Sequence, residues 1–179
     1  APLLAARERF TTDPRLARAW DSIRPRFNRI PSAADVDPAE GALGFVRRGR
    51  GRLESGDPAG AKADFDLALA IDPQLGAAYR ERGRARSRLG ESDLALADLG
   101  KAVELDPGDA VAFTVRGGVH ADRDDLDSAV SDLARAVEVD PSLAEAHARL
   151  GEVLARKGDP PAALAHLSRA IELGSKDPA

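Results

Sequence analysis

The chain has no cysteine and no methionine among its 179 residues, and only one tryptophan, one tyrosine and one asparagine, Asn28. Without cysteine there are no disulfides and no thiolate metal sites, and the redox compartment is left open. Without methionine the start of the reading frame is missing. An initiator was removed, a leader was cleaved, or the sequence is an excerpt, and Ala1-Pro2 suits all three. No apolar run approaches the roughly 18 residues that a membrane-spanning helix needs, so none is expected. Aromatics make up only 4% of a chain that is 43% hydrophobic, so a core has to come from Ala, Leu, Val and Ile. Lysine is scarce as well, 4 against 22 arginines, which hints at a GC-rich genome and says nothing of role. The net charge of −4 argues against general nucleic-acid affinity. It hides an asymmetry: residues 1–60 hold 11 Lys/Arg and 8 Asp/Glu (net +3), and residues 61–179 hold 15 and 22 (net −7).

What the chain does have is repetition. Ala61 to Pro73 reads AKADFDLALAIDP, Ala95 to Pro107 reads ALADLGKAVELDP, and Ala129 to Pro141 reads AVSDLARAVEVDP. Ala163 to Ser175, ALAHLSRAIELGS, keeps the spacing and loses Asp-Pro. The step is 34 residues each time, a period that marks stacked helical repeats. High alanine, leucine and charge content agrees with helices. The units run 42–75, 76–109, 110–143 and 144–177, within a repeat region 39–177. Each opens with a helix A whose eighth residue is glycine: Gly49, Gly83, Gly117 and Gly151. Glycine inside a helix is disfavoured by about 1 kcal/mol against alanine, so four in phase imply a second helix crossing too closely for a Cβ. Ala61, Ala95, Ala129 and Ala163 on helix B supply the matching small surface. Short polar turns such as Gly56-Asp57 and Gly90-Glu91 join the helices, and the Asp-Pro pairs are expected to end one unit and open the next. Residues 1–38 lie outside the repeat as a helical extension and linker. There Leu16, Ala19, Trp20 and Ile23 form an apolar stripe that is expected to cap the first repeat.

The order of aromatic, glycine, alanine, large apolar, alanine and proline resembles the tetratricopeptide repeat. Tyr79, Gly83, Ala95, Leu99, Ala102 and Pro107 carry it in the second unit, and Phe113, Gly117, Ala129, Leu133, Ala136 and Pro141 in the third. The resemblance implies an all-α, right-handed α-solenoid of helix-turn-helix repeats whose concave groove, lined by the A helices, binds a partner's peptide or helix. It also exposes departures. The eleventh place, large and apolar in the family, is Arg52, Arg86 and His120 before Leu154 restores the type. The fourth place of the last unit is His147 instead of an aromatic, read here as a terminal, less buried position. The final helix B has no further polar helix to cover Leu164, Leu167 and Ile171.

Carried over place by place, the groove positions include Arg47, Arg50, Arg80, Arg84 and Arg88 in the first two units, Thr114 in the third, and Arg149 and Arg156 in the fourth. Helix B carries Asp64, Asp66, Asp98, Asp132, Glu104 and Glu138, so the resemblance predicts a basic half-groove on an acidic body. Arginine forks favour carboxylates, which makes an acidic or C-terminal peptide the expected ligand. The alternative is that these arginines pair with nearby acids such as Glu54 and Glu81. The chaperone-binding subclass grips a terminal carboxylate with lysine and asparagine. Its places here hold Val46, Arg50 and Glu81, so that role is disfavoured.

Other chemistry is not supported. RRGRGR at Arg47 to Arg52 is in phase with a helix and lacks interleaved stacking aromatics beyond Phe45, so it reads as a helix face and not an RNA-binding tract. DRDDLD from Asp122 lacks the glycine and glutamate of a calcium loop and reads as an acidic turn. His120, His147 and His166 fall in different helices without metal-ligand spacing. No nucleophile elbow, phosphate loop or dinucleotide fingerprint is present. The expectation is a non-enzymatic adaptor, scaffold or assembly factor with no cofactor and no metal. It would be soluble, in the cytoplasm in preference to export with a cleaved leader. The alternatives are a self-assembling subunit, docking its last helix or its acidic 122–127 turn on a neighbour's basic first units, and a regulatory piece of a larger enzyme.

Overall fold

The computed structural model describes residues 41–174. Among these there are eight α-helices and no strand: α1 (Gly41–Glu54), α2 (Pro58–Ile71), α3 (Gly76–Arg88), α4 (Ser92–Leu105), α5 (Ala110–Asp122), α6 (Leu126–Val139), α7 (Ala144–Lys157) and α8 (Pro160–Gly174). The expected capping stripe of residues 16–23 lies outside the described residues. The chain divides into two compact units between Leu75 and Gly76, which is a repeat boundary. The first holds the hairpin α1–α2. The second holds the hairpins α3–α4, α5–α6 and α7–α8, each packed on the next, with α3, α5 and α7 side by side.

Local chemistry sets the ends of these helices. Asp57, Asp109 and Asp125 accept from the backbone N–H groups of Gly60, Ala112 and Ser128 and so cap α2, α5 and α6. The Asp-Pro pairs act differently from the expectation. Asp72, Asp106 and Asp140 are the C-caps of α2, α4 and α6. Their carboxylates accept from Gln74, Gly108 and Ser142 N–H at 2.9 Å. The proline thus sits within an aspartate-closed turn, and the next helix starts three residues later, at Gly76, Ala110 and Ala144.

Within each hairpin the two helices cross at the in-phase glycine. A Cβ built at Gly117 would stand 2.7 Å from Leu133 Cγ and 3.2 Å from the Ala129 carbonyl oxygen, and Gly83 repeats this against Leu99 and Ala95. No side chain fits there without moving a core leucine. Leu99 and Leu133 are fully buried, each contributing roughly 2–3 kcal/mol of apolar transfer. Between hairpins, Val119 of α5 packs on Ala95 and Leu99, and Leu150 and Val153 of α7 join Ala129 and Leu133. This regular stacking brings the A helices together as one face of the second unit.

Candidate partner-binding face

The structure sorts the arginines of the A helices into two groups. The first group points into the hairpins. Arg48 donates to both oxygens of Asp64 at 3.0 and 2.7 Å, Arg82 to Asp98 at 2.8 and 2.7 Å, and Arg116 to Asp132 at 2.7 and 2.6 Å. Each guanidinium also lies over the aromatic ring three residues earlier, Phe45, Tyr79 or Phe113, 5.0–5.5 Å from the ring centre. The eleventh-place residue completes the cluster. Arg52 Nη1 stands 3.1 Å from Asp64, Arg86 Nη1 2.7 Å from Asp98, and His120 Nε2 3.9 Å from Asp132. Asp64, Asp98 and Asp132 are buried. They correct the expected acidic body in these three places, because these carboxylates face inward and are neutralised there, while Asp66, Glu104 and Glu138 are exposed. The hydrogen bond to Asp132 holds the Arg116 proton more tightly than usual.

The second group lies on the exposed side. Arg47, Arg50 and Arg88 are exposed, and the side chains of Arg84, Arg149 and Arg156 are 42–45% accessible. Arg84 stands 3.9 Å from Glu81, Arg149 donates to Glu145 at 3.0 Å, and Arg156 donates to Asp124 at 3.0 Å. The Arg149 and Arg156 pairs are exposed on both sides and worth about 0–1 kcal/mol, whereas Glu81 is itself buried and its contact with Arg84 is long. Two predicted groove residues are different. Arg80 is largely buried and reaches from α3 to Asp109, the cap of α5, at 2.5 Å, while also contacting Glu81. It staples one repeat to the next. Thr114 is buried and its hydroxyl donates to the Ala110 carbonyl at 2.8 Å, so it offers nothing to a partner.

The acidic turn is likewise committed. Asp124 and Asp127 accept from Arg156 and Lys157 of the next repeat, and Asp125 caps α6. The hydrogen bonds to Ser128, with His120 adding to them, hold the Asp125 carboxyl below its usual range. A parallel pair links Arg123 to Asp93 one repeat earlier. These bonds close the second unit along its turn edge.

The histidines also differ from expectation. His147 is buried, not a loose terminal residue, and its Nδ1 lies 3.0 Å from His166 Nδ1 across the hairpin. In the neutral pair His147 Nε2–H donates to the Pro141 carbonyl at 3.2 Å, so its Nδ1 accepts from His166. Burial, then the neighbouring His147, pushes His166 below the ordinary histidine range. Among the described residues no group of three or more potential metal ligands is present, and no helix is long and apolar enough to cross a membrane.

The internal clusters were not visible as a motif because their members lie on two helices 16 residues apart. A signal was nevertheless present: arginine at the seventh place and aspartate at the twenty-third occur together in three units. Both change in the fourth, to Leu150 and His166.

Comparison with known proteins agrees with this geometry. The family model described as Tetratricopeptide repeat matches residues 46–110 and again 115–178. A search of curated proteins gives no match. Among solved structures, MamA from Desulfovibrio magneticus RS-1 is 27% identical with a TM-score of 0.65, over 76% of this chain and 78% of that one. The first repeat domain of human RPAP3 is 25% identical with a TM-score of 0.62, over 73% and 95%. The first such domain of Spaghetti (RPAP3), solved with the HSP90 peptide SRMEEVD, is 24% identical with a TM-score of 0.62, over 69% and 97%. With its two family matches, its 34-residue period and its glycine-crossed hairpins, the chain belongs to the tetratricopeptide repeat family.

Proposed function

We propose that this chain is a protein-interaction module that holds an acidic segment of a partner against the exposed face of the A helices of its second unit, α3, α5 and α7. The observation that carries this reading is the division among the arginines. One set has its charge neutralised inside the hairpins, and the other keeps accessible guanidinium groups on that face. In the second unit the accessible set is Arg84, Arg88, Arg149 and Arg156; on α1 of the first unit, taken by itself, Arg47 and Arg50 are exposed. The acidic contacts of Arg149 and Arg156 are exposed and that of Arg84 is long, 3.9 Å, so a partner's carboxylates compete there on favourable terms. The related domain solved with SRMEEVD supports the reading in kind, since that peptide is rich in carboxylates. Arg80 and Thr114 have no part in it.

The test is capture of partners from a lysate of the source cell by the parent chain and by an Arg84→Glu, Arg88→Glu variant, both confirmed helical. Loss of specific proteins from the variant is the expected result. Capture of the same set by both would remove the arginines from the account.

A second reading, self-association, is favoured by one observation. Leu164 and Ile171 on α8 are 67% and 73% exposed beside a shallow groove lined by Ala144, Ala148, Leu167 and Ala170. A mass that grows with concentration, and stops growing in a Leu164→Glu, Ile171→Glu variant, would support it.

A further inference from the structure

We infer that His147 and His166 form a two-coordinate site for a monovalent closed-shell metal ion, copper(I), held between their Nδ1 atoms where α7 and α8 cross. The site is independent of the partner-binding face. Only repeat 4 puts histidine at the fourth and twenty-third places, where the earlier repeats carry an aromatic ring and an aspartate. Leu150 stands at its seventh place, so the guanidinium that joins these two places in the other hairpins is replaced by an apolar side chain.

The two rings meet head to head. Their Nδ1 atoms are 3.0 Å apart and their centres 5.3 Å apart, the separation of two imidazoles whose Nδ1 atoms point at each other in line. His147 Nε2–H donates to the Pro141 carbonyl at 3.2 Å, which leaves the His147 Nδ1 lone pair aimed at its partner. Metal-binding histidines are ordinarily held in this way, with the second ring N–H on a carbonyl that fixes the tautomer. His166 donates its Nδ1 proton across the gap. Moving that proton to its own Nε2 releases none to solvent and brings a second lone pair onto the same line. Burial, then the neighbouring His147, keeps His166 neutral further down the pH scale than usual, so protons compete weakly for the site.

The number of donors selects the ion. Among the described residues no third His, Cys, Asp or Glu completes the group. Zinc(II) and its divalent neighbours would have to draw the rest of their ligands from water. Copper(I) is satisfied by two nitrogen donors in line, and a single charge is the least costly to bury. The chain has no cysteine or methionine to take copper(I) elsewhere. With metal–imidazole bonds of roughly 2 Å, the Nδ1 atoms must part to roughly 4 Å. α8 can yield by that amount, because it packs chiefly on α7 and exposes Leu164 and Ile171 on its outer side.

The test titrates copper(I) into the chain without oxygen, in competition with the chelator bicinchoninate. The parent is compared with His147→Gln, His166→Gln and His120→Gln, each confirmed helical by circular dichroism. One ion per parent chain is expected. Loss of an outer-shell partner alone weakens metal sites about 10–100-fold, so His147→Gln and His166→Gln should each lower affinity by at least about a hundredfold. His120→Gln should leave it unchanged. A histidine change that loosens the hairpin would also lower affinity, so the loaded parent is measured independently. Its X-ray absorption should report two nitrogen neighbours, and protection of the α8 amides should rise on loading. Three or more donors at copper, or zinc(II) held as tightly as copper(I), would overturn the two-coordinate assignment. Equal binding by all four proteins, or binding by the parent no tighter than by free imidazole, would overturn the site.

Discussion

The third and fourth repeats share a backbone plan and differ in what fills it. In the third, Arg116 and His120 on α5 close on the buried Asp132 of α6. In the fourth, the same three places are Leu150, Leu154 and His166, and His166 turns to His147 instead. The carboxylate is present only where its cations are. A buried charge without a partner is strongly destabilising, whereas replacing the whole group by apolar residues of similar size is often neutral. The repeat therefore accepts either solution but not a mixture. The choice has a further effect, since the ion cluster fixes Arg116 against Phe113 while the leucines of α7 join the apolar joint with repeat 3.

The comparison can be broken most severely at the aspartate. Asp98→Leu would strand Arg82 and Arg86 and cost about 3 kcal/mol, read as a fall in denaturant midpoint. Adding Arg82→Leu and Arg86→Leu removes the stranded cations, gives repeat 2 the two leucines of repeat 4, and should restore most of that loss. If the triple variant is as unstable as the single one, the three places do not act together. Next in size is Gly117→Ala, where a methyl group meets fully buried Leu133. The expected loss is about 1–3 kcal/mol. Gly151→Ala makes the same clash with Leu167, but Leu167 is only half-buried and can move, so its loss should be smaller. Equal losses would show that the two crossings are equally rigid.

A pH effect separates the repeats more gently. His166 titrates below its unfolded value, so the unfolded chain takes up a proton first as pH falls. Stability from this site is full above about pH 6.5, the ordinary histidine value, and declines below it as pH falls toward the folded value. The charged groups nearest in sequence to the pair are already engaged: Glu145 with Arg149, Arg169 with Glu172, and Asp140 with Ser142. The protection of amides in α7 and α8, measured against the intrinsic exchange rate at each pH, should therefore fall between pH 7.5 and 5.5, and a His166→Phe variant should lose that dependence. Unchanged pH dependence in the variant would place its origin elsewhere. The smallest effect belongs to the turn edge: Lys157→Ala removes an exposed contact to Asp127 and should change stability by less than about 1 kcal/mol.

Much of the fold was legible because it depends on periodic features. The glycines, the alanines facing them and Leu99 or Leu133 recur at fixed offsets, and backbone crowding leaves few other residues for those places. The face that meets a partner was legible only in part. Sequence spacing located Arg80 beside Arg84, but not that Arg80 reaches Asp109 while Arg84 remains accessible. Side-chain reach across helices decides that difference, and it has no period. Thr114 misled for a related reason, because a small hydroxyl can satisfy itself on its own helix, as it does at Ala110. His147 and His166 looked unrelated in sequence, and only the hairpin crossing brings them together.

The division of the arginines is the central claim, and one paired experiment tests it directly. Partner capture and thermal midpoint are measured together for Arg82→Gln, Arg116→Gln and for Arg84→Gln, Arg149→Gln. The first variant should melt several degrees lower and still capture the partner when folded, and the second should keep its midpoint and lose the partner. The reverse pattern, or loss of both properties together in either variant, would contradict it.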